Sequence, residues 1–318
     1  MNDARRRLES LFGGDLGGTS LPLAGHRRSE ASPGDGEPAD LVLDVPNRRL
    51  KLYGPTADEA KEPELRGWKD GLRTCADLYT KLTVYARPGD EMSWVTAGYL
   101  HEGIIQGFFA DGDDAHIWAA FGDEQRSDAP RDAEHDRIVQ IAAAKDPIQP
   151  EPAPGFFCHR ADPPHAPAIA ELMDATFADY PTPIAPEIIR DQIAEGTHVF
   201  RFMVDETGSV VASASAEIDH PRASAEMTDC ATRPDQRGSG HMAYLLHRLA
   251  RDVKRDLGIT DLYTLARADE VGMNCVFGKL GYRWTGRLIN NCRMPNGWES
   301  MNIWCRNPGI ESAAGSAG

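Results

Sequence analysis

From residue 155 onward, apolar positions switch between a period of two and a period near 3.6, and the switches spell out an order of elements. Residues 199–204 and 210–218 read as strands, and Asp205-Glu206-Thr207-Gly208-Ser209 between them carries the turn chemistry of an antiparallel hairpin. Ahead of them, residues 155–160 predict a strand, and residues 166–178 and 186–195 predict helices set off by proline and glycine. Behind them come a strand at 225–232, an amphipathic helix at 242–257 closed by Gly258, and a strand at 261–266. A last helix ends near Gly281, and two strands follow at 282–290 and 298–305. The order β-α-α-β-β-β-α-β-α-β-β is mixed α/β, and a generic dinucleotide-binding fold does not easily produce it.

Composition divides the rest of the chain. Residues 1–40 are rich in Gly, Ser, Pro and Asp, bury too little apolar surface to repay ordering, and are expected to be a tail. Pro147, Pro150, Pro152 and Pro154 deny the backbone regular hydrogen bonding, so 146–154 reads as an extended linker. The expected plan is an N-terminal α/β domain at 41–145, the linker, a second domain at 155–307 and a C-terminal tail at 308–318. The first domain carries an internal echo of the second. Ala86, Arg87, Gly98, Tyr99, Gly103, Ile117 and Trp118 recur in the same order as Ala266, Arg267, Gly281, Tyr282, Gly286, Ile303 and Trp304. The first domain is thus expected to be a degenerate copy of a strand-helix-strand-strand half of the second, chance similarity being the alternative.

Charge narrows the partners. With 34 Lys and Arg against 49 Asp and Glu, the net charge of −15 repels phosphate polymers and anionic lipid, so neither nucleic acid nor a membrane is expected and a small molecule is. No apolar run is long enough to span a bilayer, and the N-terminus, with Arg5, Arg6 and Arg7, lacks the apolar core of a signal peptide; the expected location is the cytoplasm. The six cysteines form no C-x-x-C pair and show no zinc spacing, so they are expected to be reduced thiols with no metal. Assembly is not written in the sequence, and a homodimer stays open.

Arg233-Pro234-Asp235-Gln236-Arg237-Gly238-Ser239-Gly240-His241 lies between a predicted strand and a predicted helix. Glycines there let the backbone approach a ligand, and the free N–H groups and dipole of a helix start favour anionic oxygens such as a diphosphate. Arg233, Arg237, His241, His247, Arg248 and Arg251 gather positive charge around the turn, although Arg248 and Arg251 suit a solvated helix face as well. The run resembles the coenzyme A signature of the GNAT acetyltransferases, Q/R-x-x-G-x-G/A, at Arg237, Gly238, Ser239 and Gly240, and Met242 departs from its last position. The resemblance implies the GNAT acyl-CoA N-acyltransferase fold for 155–307, with the first domain as a degenerate half of it. It also implies acetyl-CoA as co-substrate, held by residues 237–242.

Further roles follow from the same resemblance. The strand Glu226-Met227-Thr228-Asp229-Cys230-Ala231-Thr232 resembles the glutamate-bearing strand of the family's histone-acetylating branch, which makes Glu226 the first candidate base and Asp229 the second. Strand alternation puts the two on opposite faces unless the strand bulges. The N–H groups of Cys230, Ala231 and Thr232 stand where the family polarises the thioester carbonyl. Asn274 resembles the family's helix asparagine and implies a cofactor contact. Phe277, which the same resemblance places at the cofactor, replaces the tyrosine that protonates the leaving thiolate, which leaves that role to Tyr263, Cys275 or water.

Three segments resemble the β-lysine acetyltransferases within the family: Phe177-Ala178-Asp179-Tyr180-Pro181-Thr182-Pro183-Ile184, the core around Arg237, and the stretch from Gly286 to Trp304. A β-lysine site must neutralise two ammonium groups and one carboxylate. Glu226, Asp229 and Glu299 offer carboxylates; Tyr180, Asn290 and Asn291 offer hydrogen bonds, as does Asn296 unless Asn296-Gly297 is a hairpin turn. The alternatives are another amine, such as a polyamine, an aminoglycoside or a protein N-terminus, and a non-catalytic coenzyme A sensor.

Overall fold

A computed structural model of the chain describes residues 28–31, 39–58, 61–177, 184–294 and 297–306. The chain forms two units, one of Met1–Ile105, Asp113–Pro130 and Gly286–Met301, the other of Gln106–Gly112, Arg131–Thr285 and Asn302–Gly318.

In the first unit, β1 (Arg28–Ala31), β2 (Ala39–Asp44) and β3 (Arg49–Tyr53) are followed by α1 (Glu62–Thr74), β4 (Lys81–Ala86), α2 (Glu91–Thr96), β5 (Leu100–Ile105), β6 (Ala115–Phe121) and the short α3 (Glu124–Ser127). The strands lie in the order β1-β2-β3-β4-β6-β5, with β3 and β4 parallel and their neighbours antiparallel. Period-two alternation sorts each strand's side chains. Leu50, Leu52, Leu82, Val84 and Ala86 pack with Leu65, Trp68 and Leu72 of α1, while Arg49, Lys81, Thr83 and Tyr85 face the other way and are buried too.

The second unit runs through α4 (Asp132–Ala143), β7 (Phe157–Arg160), α5 (Ala166–Thr176), α6 (Pro186–Glu195), β8 (His198–Val204), β9 (Val210–Asp219), β10 (Ser224–Thr232), α7 (His241–Leu257), β11 (Leu262–Arg267) and α8 (Val271–Lys279). The hairpin of β12 (Arg283–Met294) and β13 (Gly297–Arg306) gives its residues 286–301 to the first unit and its base to the second. The order β13-β11-β10-β9-β8-β7 is antiparallel from β7 to β10 and parallel at β10 and β11. On one face Ala212, Ala214 and Ala216 pack under Leu245, Leu246, Leu249 and Val253 of α7. On the other, Phe200 and Phe202 pack with Ile169, Leu172 and Met173 of α5 and Ile189 of α6. Arg201 and Asp252 join β8 to α7 by a buried two-pronged ion pair of 2.5 and 3.0 Å.

Every predicted strand and helix of 155–307 is present, with ends shifted by a few residues. The expected linker lies within the span Arg131–Thr285 of the second unit, where the Ile148 N–H donates to the Lys279 carbonyl. The order of elements in β1-β2-β3-α1-β4-α2-β5-β6 matches that in β8-β9-β10-α7-β11-α8-β12-β13, including a parallel helical crossover in each. The likeness in order therefore runs beyond the half marked by the sequence echo. The two crossover helices differ at their starts: α1 opens with Glu62 and Glu64 in its first turn, whereas α7 has no acid there and is preceded by Gly238 and Gly240.

Candidate active site

The site is built on a break in β10. Its register with β9 runs from Ser224↔Asp219 to Thr228↔Ser215, then skips to Ala231↔Ser213, and Asp229 in the gap adopts a left-handed φ of +50°. Register with β11 holds at Ala225↔Leu262 and Glu226↔Tyr263 and ends there, although both strands continue. Beyond that point β10 shows no further register with β11 among the described residues, and a ligand's amides can pair with its β11-facing backbone groups.

The bulge also decides which acids share a face. Ala225 and Met227 lie in the core under α7, so Glu226 points to the opposite side. Ser215 alternates with Ala214 and Ala216 of that same core, and its hydroxyl donates to Asp229 Oδ2 at 2.6 Å. Glu226 and Asp229 therefore stand on one side of the sheet, joined by Glu217, the β9 partner of Glu226. Ser213 lies on this side as well, buried, with its hydroxyl lacking a partner among the described residues. The alternation Ala212-Ser213-Ala214-Ser215-Ala216-Glu217 marks this polar face in the sequence.

Cys230 sits inside the bulge. Burial, reinforced by the charges of Asp229 and Glu226, drives its thiol pKa far up, so it remains protonated at neutral pH and is unsuited to act as a nucleophile.

The loop after β10 turns through a 3-10 turn at Pro234–Gln236 and enters α7 with Gly238 at φ +83° and Gly240 at φ +82°. No side chain caps α7, and the N–H groups from Gly238 to Ala243 have no acceptor among the described residues. A Cβ built on either glycine would meet nothing within 4 Å. This row of free donors in open space at a helix start fits a diphosphate. Arg237 is exposed and has no ion-pair partner among the described residues, whereas Arg233 is engaged by Asp235 at 2.7 Å. Met242, the residue that departs from the signature, turns its side chain into the core under α7 and leaves its amide at the turn. His241 is buried against Phe156, and neither ring nitrogen has a partner among the described residues.

The family model described as "Acetyltransferase (GNAT) family" matches residues 166–282. A β-lysine N(6)-acetyltransferase of Methanosarcina mazei is 36% identical over 253 residues, covering 71% of this chain and 90% of its own. The chain belongs to the GNAT acetyltransferase family. It is also similar to N-acetyltransferase YodP of Bacillus subtilis, at 30% identity over 71% of this chain and 82% of that one. A β-lysine N(6)-acetyltransferase of Methanococcus maripaludis is 29% identical over 65% and 75%. The protein is thus an N-acetyltransferase of a family that uses acetyl-CoA.

Several residues drawn from the family pattern do other work in this acetyltransferase. Asn274, fully buried, donates to the carbonyls of Arg267 and Glu270 and accepts from Asn302 and Trp304, so its amide has nothing left for a cofactor. It locks the start of α8 to β11 and β13. Phe277 is buried edge-on to Tyr282, so its ring packs in the interior of the second unit. Asn290 spends its side-chain N–H groups on the carbonyls of Arg126 and Asp128, and Asn291 is wholly buried, so both side chains serve the interior of the first unit. Glu299 also belongs to the first unit and is half-buried. Tyr180 and Asn296 lie outside the described residues. Among the described residues no group of three or more His, Cys, Asp or Glu could hold a metal ion, and no helix is long and apolar enough to cross a membrane. None of the six cysteines forms a disulfide.

Proposed function

We propose that the protein transfers an acetyl group from acetyl-CoA to the ε-amine of β-lysine, giving the compatible solute N-ε-acetyl-β-lysine. At pH 7 an amine with a pKa of about 10.4 is neutral in roughly one molecule in 2,500, so a base must hold and remove its proton. Glu226 is that base. Asp229, fixed by Ser215, and Glu217 attract the ammonium form to the same face. The placing of Glu226 and Asp229 on one side of β10, where β11 parts from it, is the observation that carries this reading.

Acetyl-CoA supplies the acetyl group when bound. The amides of 238–243, with Arg237 and Ser239, would hold its diphosphate, and the backbone N–H groups of Cys230 to Thr232 would polarise the thioester carbonyl. Once Glu226 has taken one proton of the ammonium, the nitrogen lone pair attacks the carbonyl carbon, the carbon–sulfur bond breaks, and the second proton shed by the nitrogen passes through solvent to the departing thiolate. A thiol with a pKa near 8.5 leaves readily as thiolate, so a packed Phe277 in place of an acid is tolerable. The protonated thiol of Cys230 favours this direct transfer over an acyl-cysteine route.

The archaeal relatives named for β-lysine support the substrate. The test is thiol release with β-lysine, α-lysine and spermidine at saturating acetyl-CoA. Turnover of β-lysine with little of α-lysine is expected. Equal rates on the two lysines overturn the substrate assignment, and tight acetyl-CoA binding without turnover of any amine overturns catalysis.

A further inference from the structure

Register carries one row of side chains straight across the sheet of the second unit. His198 of β8 pairs with Glu217 of β9, Glu217 with Glu226 of β10, and Glu226 with Tyr263 of β11. Residues paired in this way point to one face of a sheet. Val199, Ala216, Ala225 and Leu262, their neighbours along each strand, all lie in the core under α7. The row therefore stands on the opposite side, the side that Glu226 shares with Asp229.

Its two carboxylates are direct cross-strand neighbours, with Cβ atoms about 5 Å apart, and like charges set opposite each other cost a strand pair stability. The other acids nearby are engaged: Asp219 by Arg222 at 2.6 Å, and Asp229 by the Ser215 hydroxyl at 2.6 Å. Glu217 has no Lys or Arg within ion-pair distance among the described residues. It meets His198 Nε2 at 4.0 Å, and its side chain is 53% exposed. An ammonium group held beside Glu217 would turn the repulsion between the two carboxylates into attraction towards a shared cation. On the other flank of Glu226, Tyr263 packs edge-on to Phe108 with ring centroids 5.9 Å apart. A substrate whose reacting nitrogen lies at Glu226 is thus walled by rings on the β11 side and meets a charge on the β9 side.

We propose that Glu217 is a specificity-determining residue that holds a second ammonium group of the substrate, and so selects amines carrying that group four carbons from the reacting nitrogen. The ε- and β-nitrogens of β-lysine have this spacing, about 6 Å in an extended chain, whereas the ε- and α-nitrogens of α-lysine stand five carbons and about 7.5 Å apart. Neighbouring strands set the two carboxylate side chains about 5 Å apart at their bases, which matches the shorter span. The inference rests on the proposed function for Glu226 as base and for β-lysine as substrate, but selection by spacing extends to diamines that have no carboxylate.

The test is steady-state thiol release by the full chain at saturating acetyl-CoA with β-lysine, 1,4-diaminobutane and 1,5-diaminopentane. The wild type is expected to favour 1,4-diaminobutane over 1,5-diaminopentane by about fivefold or more in kcat/KM. Equal values for the two diamines overturn the inference without need of any variant. Glu217→Gln is expected to raise KM for 1,4-diaminobutane by about tenfold or more, to hold kcat within about threefold of wild type, and to abolish the preference between the diamines. Glu217→Asp, which keeps the charge, is expected to retain that preference. An unchanged KM in Glu217→Gln, or a loss confined to kcat, overturns the inference even where β-lysine is acetylated. Conversely, a Glu217-dependent preference in an enzyme that does not acetylate β-lysine upholds selection by spacing and rejects the proposed substrate. Turnover of none of the three amines by the wild type overturns both.

Discussion

In the proposed reaction, Glu226 and Asp229 would divide the work by environment. Asp229 sits in a strained left-handed conformation and is tied to the Ser215 hydroxyl, which suits it to a fixed charge, whereas Glu226 lies on regular strand beside the point where β11 parts. Glu226→Gln is expected to lower kcat by about a hundredfold or more and to flatten the acid limb of the rate profile. Asp229→Asn is expected to cost about tenfold, mostly in KM; the reverse ranking in steady-state kinetics would exchange the roles. A second prediction concerns stability. His241 is buried without a partner for its ring, and burial lowers its pKa below the usual 6.5. As pH falls below 6.5, the unfolded chain takes up this proton before the folded one does, so this share of stability is present above 6.5 and is lost as pH drops towards the lowered folded value. His241→Phe should flatten the fall of stability as pH drops below about 6.5, measured by urea unfolding.

Among the elements, the loop into α7 was the most legible in the sequence, because glycine spacing at a strand-to-helix turn is local information. Gly238 and Gly240 both take left-handed φ, as the motif requires. Gly240→Ala finds open space but a strained backbone, so it is expected to cost about 1 kcal/mol of stability. It is also expected to raise KM for acetyl-CoA severalfold while kcat changes little; an unchanged KM would separate the turn from the cofactor. The bulge in β10 was less legible. Alternation alone sets Glu226 and Asp229 on opposite faces, and only pairing against Ser213 and Ser215 shows where the extra residues enter. Asn274 and Phe277 were placed by family pattern, but their roles depend on Asn302, Trp304 and Tyr282, partners that no motif spacing reveals.

At the scale of the molecule, the boundary drawn at the prolines separates residues that belong together. Gly278 of α8 lies so close to α4 that a Cβ there would come 2.1 Å from the Ala142 carbonyl, and both belong to the second unit. A fragment of residues 155–307 lacks α4 and residues 106–112 of that unit, and it parts residues 286–301 from the rest of the first. It is expected to show no cooperative thermal transition and no acetyl-CoA binding, while the full chain shows both; calorimetry of the two decides. Hydrophobic period, turn chemistry and glycine spacing act over a few residues, and they sufficed to set the strands and helices of 155–307, the loop into α7 and the mixed α/β class. Composition marks a stiff segment at the prolines, but a stiff segment can lie along a folded unit as readily as between two, and here it falls within the span of the second. The shared face of Glu226 and Asp229, the sealing of Asn274 and the row from His198 to Tyr263 were decided by tertiary structure, because each depends on register or on contacts between residues far apart in the chain.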